Sequence, residues 1–204
     1  MSNCQVIIFD LGNVIFRISF DRMFQYWARI GNSDVRTIQK NFVFDEMYCR
    51  FERGEISRAD FRKYARDKTG LTISDSEFDT GWNDLYLEVL PGIEDLLTEL
   101  KSGYRLAVLT NTNAIHAEKW RVKYATVLTV FEKVFCSFEM GARKPEKAVY
   151  QKMLDVLRID PDTAVLFDDN PVNVQGAVDC GMQAIKVNTC LEIENALGSL
   201  GIMP

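Results

Sequence analysis

Apolar residues along this chain follow two rhythms. Three short runs are continuous and mostly β-branched or aliphatic: Val6-Ile-Ile-Phe9, Arg105-Leu-Ala-Val-Leu-Thr110 and Ala164-Val-Leu-Phe167. Each runs into a turn-forming group, respectively Asp10-Leu-Gly-Asn13, Asn111-Thr-Asn113 and Asp168-Asp-Asn-Pro171. A short apolar run without alternation is the pattern of a strand buried on both faces. Lys133-Val-Phe-Cys-Ser137 and Gln183-Ala-Ile-Lys-Val187 are weaker strands of the same kind. Between these runs the apolar period changes to that of a helix. Pro91 stands at a first helical position, Ile93, Leu96, Leu97 and Leu100 follow on one face, and Gly103 stops the helix. Pro145 opens a second helix with Val149, Met153, Leu154 and Leu157 on one face, and Pro171 opens a third that closes near Gly181. Strands alternating with helices predict an α/β fold, a doubly wound, Rossmann-like parallel sheet covered on both faces. Ligands of such sheets bind beyond the carboxyl ends of the strands. Asp10, Thr110 and Asp168 all end apolar strands, so all three are expected on that edge.

Residues 17–88 break the rhythm and contain no clear buried strand. Ser57-Arg-Ala-Asp60 and Ser74-Asp-Ser-Glu77 read as capping boxes at helix starts. Phe61, Tyr64 and Ala65 follow the first, and Phe78, Trp82 and Leu85 follow the second. Gly54 and Gly70 read as helix stops. The expected organisation is a core of residues 1–16 and 89–204 with a helical bundle, 17–88, inserted after the first strand.

Composition narrows the partners. A chain of 204 residues holds one core plus a small insertion. Its net charge of −5 disfavours nucleic acid and anionic membrane, which need clustered Lys and Arg. A small anionic substrate needs only a local positive site. Five cysteines at wide spacing, without a C-x-x-C pair, argue for reduced thiols rather than a disulfide framework or a zinc site. The N-terminus lacks a basic region, Val6–Phe9 is too short for a signal peptide, and no apolar stretch is long enough to span a bilayer. These features predict a cytoplasmic protein; they leave its state, monomer or homodimer, open.

Four segments carry candidate chemistry, and each alone has a plain structural reading. Asp10 is a turn aspartate or a nucleophile. Thr110-Asn-Thr-Asn113 is a helix cap or a phosphate cradle. Lys144, in Ala142-Arg-Lys-Pro145, is a surface lysine or a cation facing substrate. Asp168-Asp169 is stronger evidence, because two acids at the end of a buried strand are costly without a cation or hydrogen bonds to hold them.

Taken in order, these segments and the insertion resemble the four motifs of the haloacid dehalogenase-like superfamily and its helical-cap subgroup, over essentially the whole chain. The resemblance implies a magnesium-dependent phosphatase for small phosphorylated metabolites. In it Asp10 is the nucleophile that forms an aspartyl-phosphate, and Asp10, the carbonyl of Gly12 and Asp169 bind Mg2+. Thr110 and the amide of Asn111 hold phosphate oxygens. Lys144 offsets charge on Asp10 and on the phosphoryl group. Asp168 orients Lys144 or a water of the metal, and Asn173 supports the metal shell. The motif Asp10-Leu-Gly-Asn-Val14, with Glu52-Arg-Gly-Glu-Ile-Ser57 and the spacing from Asn111 to His116, is similar to that of small bacterial sugar phosphatases, including those acting on glucose 1-phosphate. His116, the single histidine, is read either as a substrate-binding or proton-moving group or as a partly buried helix residue. Trp120 is read as packing. Glu46, Tyr48 and Arg53 are cap residues that either face substrate or form a solvated surface.

One position departs from the pattern. The superfamily's phosphatases usually carry a second Asp two residues after the nucleophile, as acid and base, and here that residue is Gly12. The rival readings are a haloacid dehalogenase, which needs no metal, and a catalytically silent phosphometabolite-binding protein. The Asp168-Asp169 pair speaks against the first, and retention of Asp10, Thr110, Lys144 and Asp169 against the second.

Overall fold

A computed structural model describes residues 4–202. Met1, Ser2 and Asn3, read above as part of an N-terminus without a basic region, lie outside the described residues. The chain begins with β1 (Val6–Phe9) and β2 (Phe16–Ile18) and continues into five helices, α1 (Phe20–Ile30), α2 (Val35–Asn41), α3 (Glu46–Glu52), α4 (Arg58–Thr69) and α5 (Asp75–Asn83). It returns through β3 (Tyr86–Val89), α6 (Ile93–Lys101) and β4 (Arg105–Thr110). Helices α7 (Ala114–Lys123) and α8 (Ala125–Leu128) lead to β5 (Lys133–Cys136), then α9 (Ser137–Met140) and α10 (Lys147–Leu157). The remainder is β6 (Ala164–Asp168), α11 (Pro171–Val178), β7 (Gln183–Lys186) and α12 (Cys190–Ser199).

The sheet runs in the order β5-β4-β1-β6-β7 with every pairing parallel, as the alternation of strand and helix requires. Alternate residues of its central strands serve opposite faces. Ile7, Phe9, Leu106, Val108, Val165 and Phe167 join one core, with Leu97 of α6 and Leu197 of α12. Val6, Ile8, Ala107, Leu109, Ala164 and Leu166 join the other, with Met153 of α10 and Ala177 of α11. This two-sided burial is why the strands read as unbroken apolar runs. The fold class is the doubly wound α/β sheet expected.

Register fixes the chemistry. Phe9 is level with Val108 on one side and Phe167 on the other. Asp10 therefore emerges from the central strand between the ends of β4 and β6, where the strand order reverses, the usual ligand position in open α/β sheets.

Three expectations need correction. Pro91 is not the first residue of α6; it lies in a turn, and Gly92 (φ 82°) caps a helix that starts at Ile93. Pro145 likewise precedes α10, whose N-cap is Glu146. Both prolines stand in the loop before a helix rather than at its first position. Pro171 does stand at the start of α11. The third is the capping box expected at Ser57, which is incomplete; residues 17–88, expected to hold no clear buried strand, carry two short and only partly buried ones at their ends. Here β2 and β3 pair antiparallel, Phe16 with Val89 and Ile18 with Tyr86. Of the two capping boxes, Ser74 with Glu77 is complete, whereas Ser57 caps the amide of Asp60 without the reciprocal backbone bond. The helices between β2 and β3 pack around Trp27, Phe61, Phe78 and Trp82, all buried, and this cluster is continuous with one face of the sheet. Trp27 and Trp82 stack at 5.7 Å. Gly81 permits this closeness, since a Cβ there would stand 2.3 Å from the Trp27 ring.

Candidate active site

At the carboxyl edge of the sheet the chain leaves β1 in a tight loop held by its own backbone. Asn13 N donates to Phe16 O (2.7 Å), and Ile15 N and Phe16 N donate to Leu11 O (2.9 and 3.1 Å). None of these bonds uses the Gly12 carbonyl. Asn13 adopts a left-handed conformation (φ 58°), which its short amide side chain tolerates. That side chain donates Nδ2 to Asp169 Oδ2 (3.1 Å) and accepts from Ile18 N (3.2 Å), tying the first loop to the last.

Four charged side chains meet there. Lys144, almost fully buried, places Nζ 2.9 Å from Asp10 Oδ1 and 2.5 Å from Asp168 Oδ2. Asp168 is completely buried, and its two oxygens also accept from Asn170 N (2.9 Å) and from Asn173 Nδ2 (3.0 and 3.2 Å). Asp168 is thereby committed to holding Lys144, and Asn173 serves Asp168. Asp10 differs. Apart from the Lys144 ammonium at 2.9 Å, no donor among the described residues reaches its buried Oδ1. A carboxylate held by one ammonium alone can still accept a second cationic ligand.

The electrostatics agree. Burial raises the Asp10 pKa; Lys144 opposes this, and Asp168 adds to it. Burial also raises that of Asp169. Burial alone would depress the Lys144 pKa, but Asp10 and Asp168 more than offset this and hold it above the usual lysine range. One oxygen each from Asp10, Asp168 and Asp169 lies within 4.8 Å of the others. Three carboxylates around one ammonium leave the cluster short of positive charge. A hard divalent cation with oxygen ligands fits that deficit. Since Asp168 is saturated, the donors left for it are Asp10, Asp169 and the Gly12 carbonyl.

A cavity of about 100 Å3 opens from this cluster toward the helices. Asp10, Gly12, Thr110, Asn111, His116 and Asp169 all line it, so the structure brings these expected site residues together. Its far wall includes Tyr48, Glu52, Tyr86 and Trp120. Trp120 also donates Nε1 to Thr112 Oγ1 (3.2 Å). Tyr48 is buried and donates to Glu52 Oε1 (2.9 Å), whereas Glu46 is on the surface and pairs with Arg53.

Several contributors escaped the sequence reading. The Asn111 side chain, not only its amide, matters: Oδ1 accepts from Lys144 N (2.8 Å) and Nδ2 donates to Lys144 O (2.9 Å). Glu52 and Arg143 form an ion pair at 2.8 Å. Ile18 occupies the space beside Gly12, where a Cβ would lie 3.0 Å from Ile18 Cδ1. Glu52, Arg143 and Asn111 all stand inside the quoted motifs, but nothing in their spacing discloses which partner each meets.

His116 is buried, stacks on Trp82 at 4.6 Å, and places Nδ1 3.2 Å from Asn83 Oδ1. With the Asn83 oxygen assigned there, Nδ1 is the donor and Nε2 an acceptor. Burial lowers its pKa to about 3. A histidine buried neutral contributes stability above its unfolded pKa of about 6.5 and loses it as pH falls toward the folded value. Between pH 6.5 and 5 the unaltered protein should therefore lose up to about 2 kcal/mol from this group. Urea unfolding of His116→Phe across that range should show a flatter profile; identical slopes would mean that His116 is already charged or accessible.

Comparison with known proteins adds to the geometry. A family model described as haloacid dehalogenase-like hydrolase matches residues 4–181. The chain is 23% identical over 185 residues to D-ribitol-5-phosphate phosphatase of Bacteroides thetaiotaomicron, covering 88% of this chain and 90% of that protein. A crystal structure of a HAD family enzyme from Bacteroides thetaiotaomicron, in complex with magnesium and inorganic phosphate, superposes with a TM-score of 0.79 at 30% identity, over 90% of this chain and 93% of that one. A HAD-like family hydrolase from Porphyromonas gingivalis is similar over the full length of both chains, with a TM-score of 0.83 at 22% identity.

Proposed function

The chain belongs to the haloacid dehalogenase-like hydrolase family, and from that premise we propose that it hydrolyses small phosphorylated metabolites, sugar phosphates such as glucose 1-phosphate among them, through an aspartyl-phosphate on Asp10. It is a phosphoric monoester hydrolase with magnesium as cofactor. The observation that carries the Asp10 assignment is its carboxylate lining the cavity at the end of the central strand, with Lys144 at 2.9 Å as its ion-pair partner. The ribitol-phosphate phosphatase among its relatives supports a small polyol or sugar ester.

In this reading Asp10, Asp169 and the Gly12 carbonyl would hold Mg2+, which would supply positive charge to the phosphoryl oxygens. A carboxylate oxygen of Asp10 attacks phosphorus as the bond to the leaving oxygen breaks. Lys144 lies against the nucleophile and balances the charge carried through the transfer. The Thr110 hydroxyl and the Asn111 backbone N–H would donate to phosphoryl oxygens. Water then attacks the phosphorus, the bond to Asp10 breaks, and inorganic phosphate leaves with the carboxylate restored. We assign the helices of residues 17–88 the part of a cap that limits the site to small esters.

Gly12 offers no acid to the leaving oxygen, and Ile18 fills the place beside it. His116 is neutral with Nε2 as acceptor, so it can take a hydrogen bond from a substrate hydroxyl but donates no proton. A positioned general acid contributes roughly 10²–10⁴ in rate when the leaving group is poor. Aryl phosphates and sugar 1-phosphates should therefore outrun sugar 6-phosphates and simple alkyl phosphates. The basic test is turnover of an aryl phosphate with magnesium and with EDTA; normal turnover in EDTA would refute the metal assignment. Across a matched ester series, log kcat/KM should fall steeply as leaving-group pKa rises. Gly12→Asp needs only a small movement of the Ile18 side chain and should flatten that slope. A flat slope in the unaltered protein would show that another acid is already at work.

A further inference from the structure

The C-terminal end of α3 meets the segment from α9 through the loop carrying Lys144 at three points. Glu52 Oε2 accepts from Arg143 Nε at 2.8 Å. Arg53 Nη1 donates to Glu146 Oε1 at 3.0 Å. Gly54, with φ 72°, sits so close to Phe138 that a Cβ would stand 2.4 Å from its carbonyl oxygen. Arg143 and Glu146 flank Lys144-Pro145, so the two ion pairs grip the loop on either side of the lysine. From the opposite side, Asn111 holds the backbone N–H and C=O of Lys144 itself.

Of these contacts the Glu52–Arg143 pair is the deepest. Glu52 is 3% exposed, and its second oxygen is taken by Tyr48. A buried ion pair adds little net stability over a well-packed apolar pair, but it does fix relative position. Position is what Lys144 needs. Its ammonium must reach Asp10 and Asp168 at once, and misplacement by about 1 Å can cost on the order of 10²-fold in rate. The cavity is also smaller than the roughly 300–1,000 Å3 of most small-molecule sites. Glu52 stands in the wall that belongs to α3, so the seating of α3 bears on the space left for an ester.

We propose that Glu52 is a positioning residue for Lys144: acting through Arg143 from the docked α3, it holds the ammonium in contact with Asp10 and Asp168. The inference rests on the phosphatase reading and deepens it. Arg53 and Glu146 form a second, more exposed strut of the same device.

A double-mutant cycle separates this from a direct or merely structural role. The readout is the Kd for inorganic phosphate in magnesium buffer, by calorimetry, for the unaltered protein, Glu52→Gln, Lys144→Ala and the double variant. Glu52→Gln should weaken phosphate about tenfold and Lys144→Ala more; the double variant should be no weaker than Lys144→Ala alone. An equal loss in both backgrounds would mean that Glu52 acts on the anion or on the fold at large, and would overturn the proposal. Unchanged or tighter binding in Glu52→Gln would overturn it as well. Glu146→Gln, at a partly exposed site, should show a smaller loss of about threefold with the same dependence on Lys144. Should Glu52→Gln fail to fold, that cycle decides, and a loss independent of Lys144 sinks the proposal. Turnover of an aryl phosphate by the unaltered protein decides the phosphatase reading separately.

Discussion

Asp10→Asn should lower turnover of an aryl phosphate by at least about 10³-fold, the scale expected when a covalent nucleophile is removed. The amide is nearly isosteric with the carboxylate, so the loop from Leu11 to Phe16 and its backbone bonds should persist. It cannot carry the phosphoryl group, and it brings a donor to a place where Lys144 already donates. The fold should be unharmed, because the change relieves a buried carboxylate whose pKa burial has raised. Steady-state kinetics with urea unfolding on the same sample checks both halves. More than a few per cent of residual activity in purified variant would remove Asp10 from the nucleophile's role.

Lys144→Ala and Asp169→Ala should both abolish efficient turnover but part company in every other respect. Losing a preorganised donor of this kind costs roughly 10²–10³ in rate. Lys144→Ala also leaves Asp10 and Asp168 facing each other without their ammonium, and breaking a buried pair from one side costs about 3–5 kcal/mol. Its stability deficit should shrink as pH falls, because the raised pKa of Asp10 lets that carboxyl take a proton well before an exposed one would. Magnesium binding should survive. In Asp169→Ala magnesium affinity should collapse, whereas stability should change little, since Asp169 is only partly buried and has a single side-chain partner, Asn13. Magnesium titration and urea unfolding of the two variants separate the assignments; weak magnesium binding by both would mean that Lys144 shapes the metal site too.

Much of this architecture is legible from the sequence for a physical reason. A central parallel strand is buried twice over, so β1, β4 and β6 print themselves as unbroken apolar runs. The acids and the threonine that end those runs then fall on one edge by topology alone. The weaker runs are the outer strands β5 and β7, each with a neighbour on one side only. The ribbon of β2 and β3 was lost because Phe16–Ile18 is three residues long and Tyr86–Val89 mixes buried with exposed positions. The starts of α6 and α10 slipped because proline favours a first turn and the loop before it alike. Side-chain partnerships were out of reach for a different reason. Glu52 and Arg143 are 91 positions apart, and nothing short of the docked helix brings them together. The stacking of His116 on Trp82 likewise depends on how α5 meets α7.

The ribbon has an evolutionary consequence. Pairing Ser19 N with Leu85 O, and Leu90 N with Ile15 O, brings the two ends of the helical excursion side by side. The entropy of closing a flexible loop rises only by about 0.6 kcal/mol for each doubling of its length. Lineages descended from such a chain are therefore free to lengthen, trim or exchange the excursion while the strand ends that carry the reaction stay in register. Under the role proposed for Glu52, a replacement module would also have to present an acid to Arg143 or steady the lysine beside it in another way.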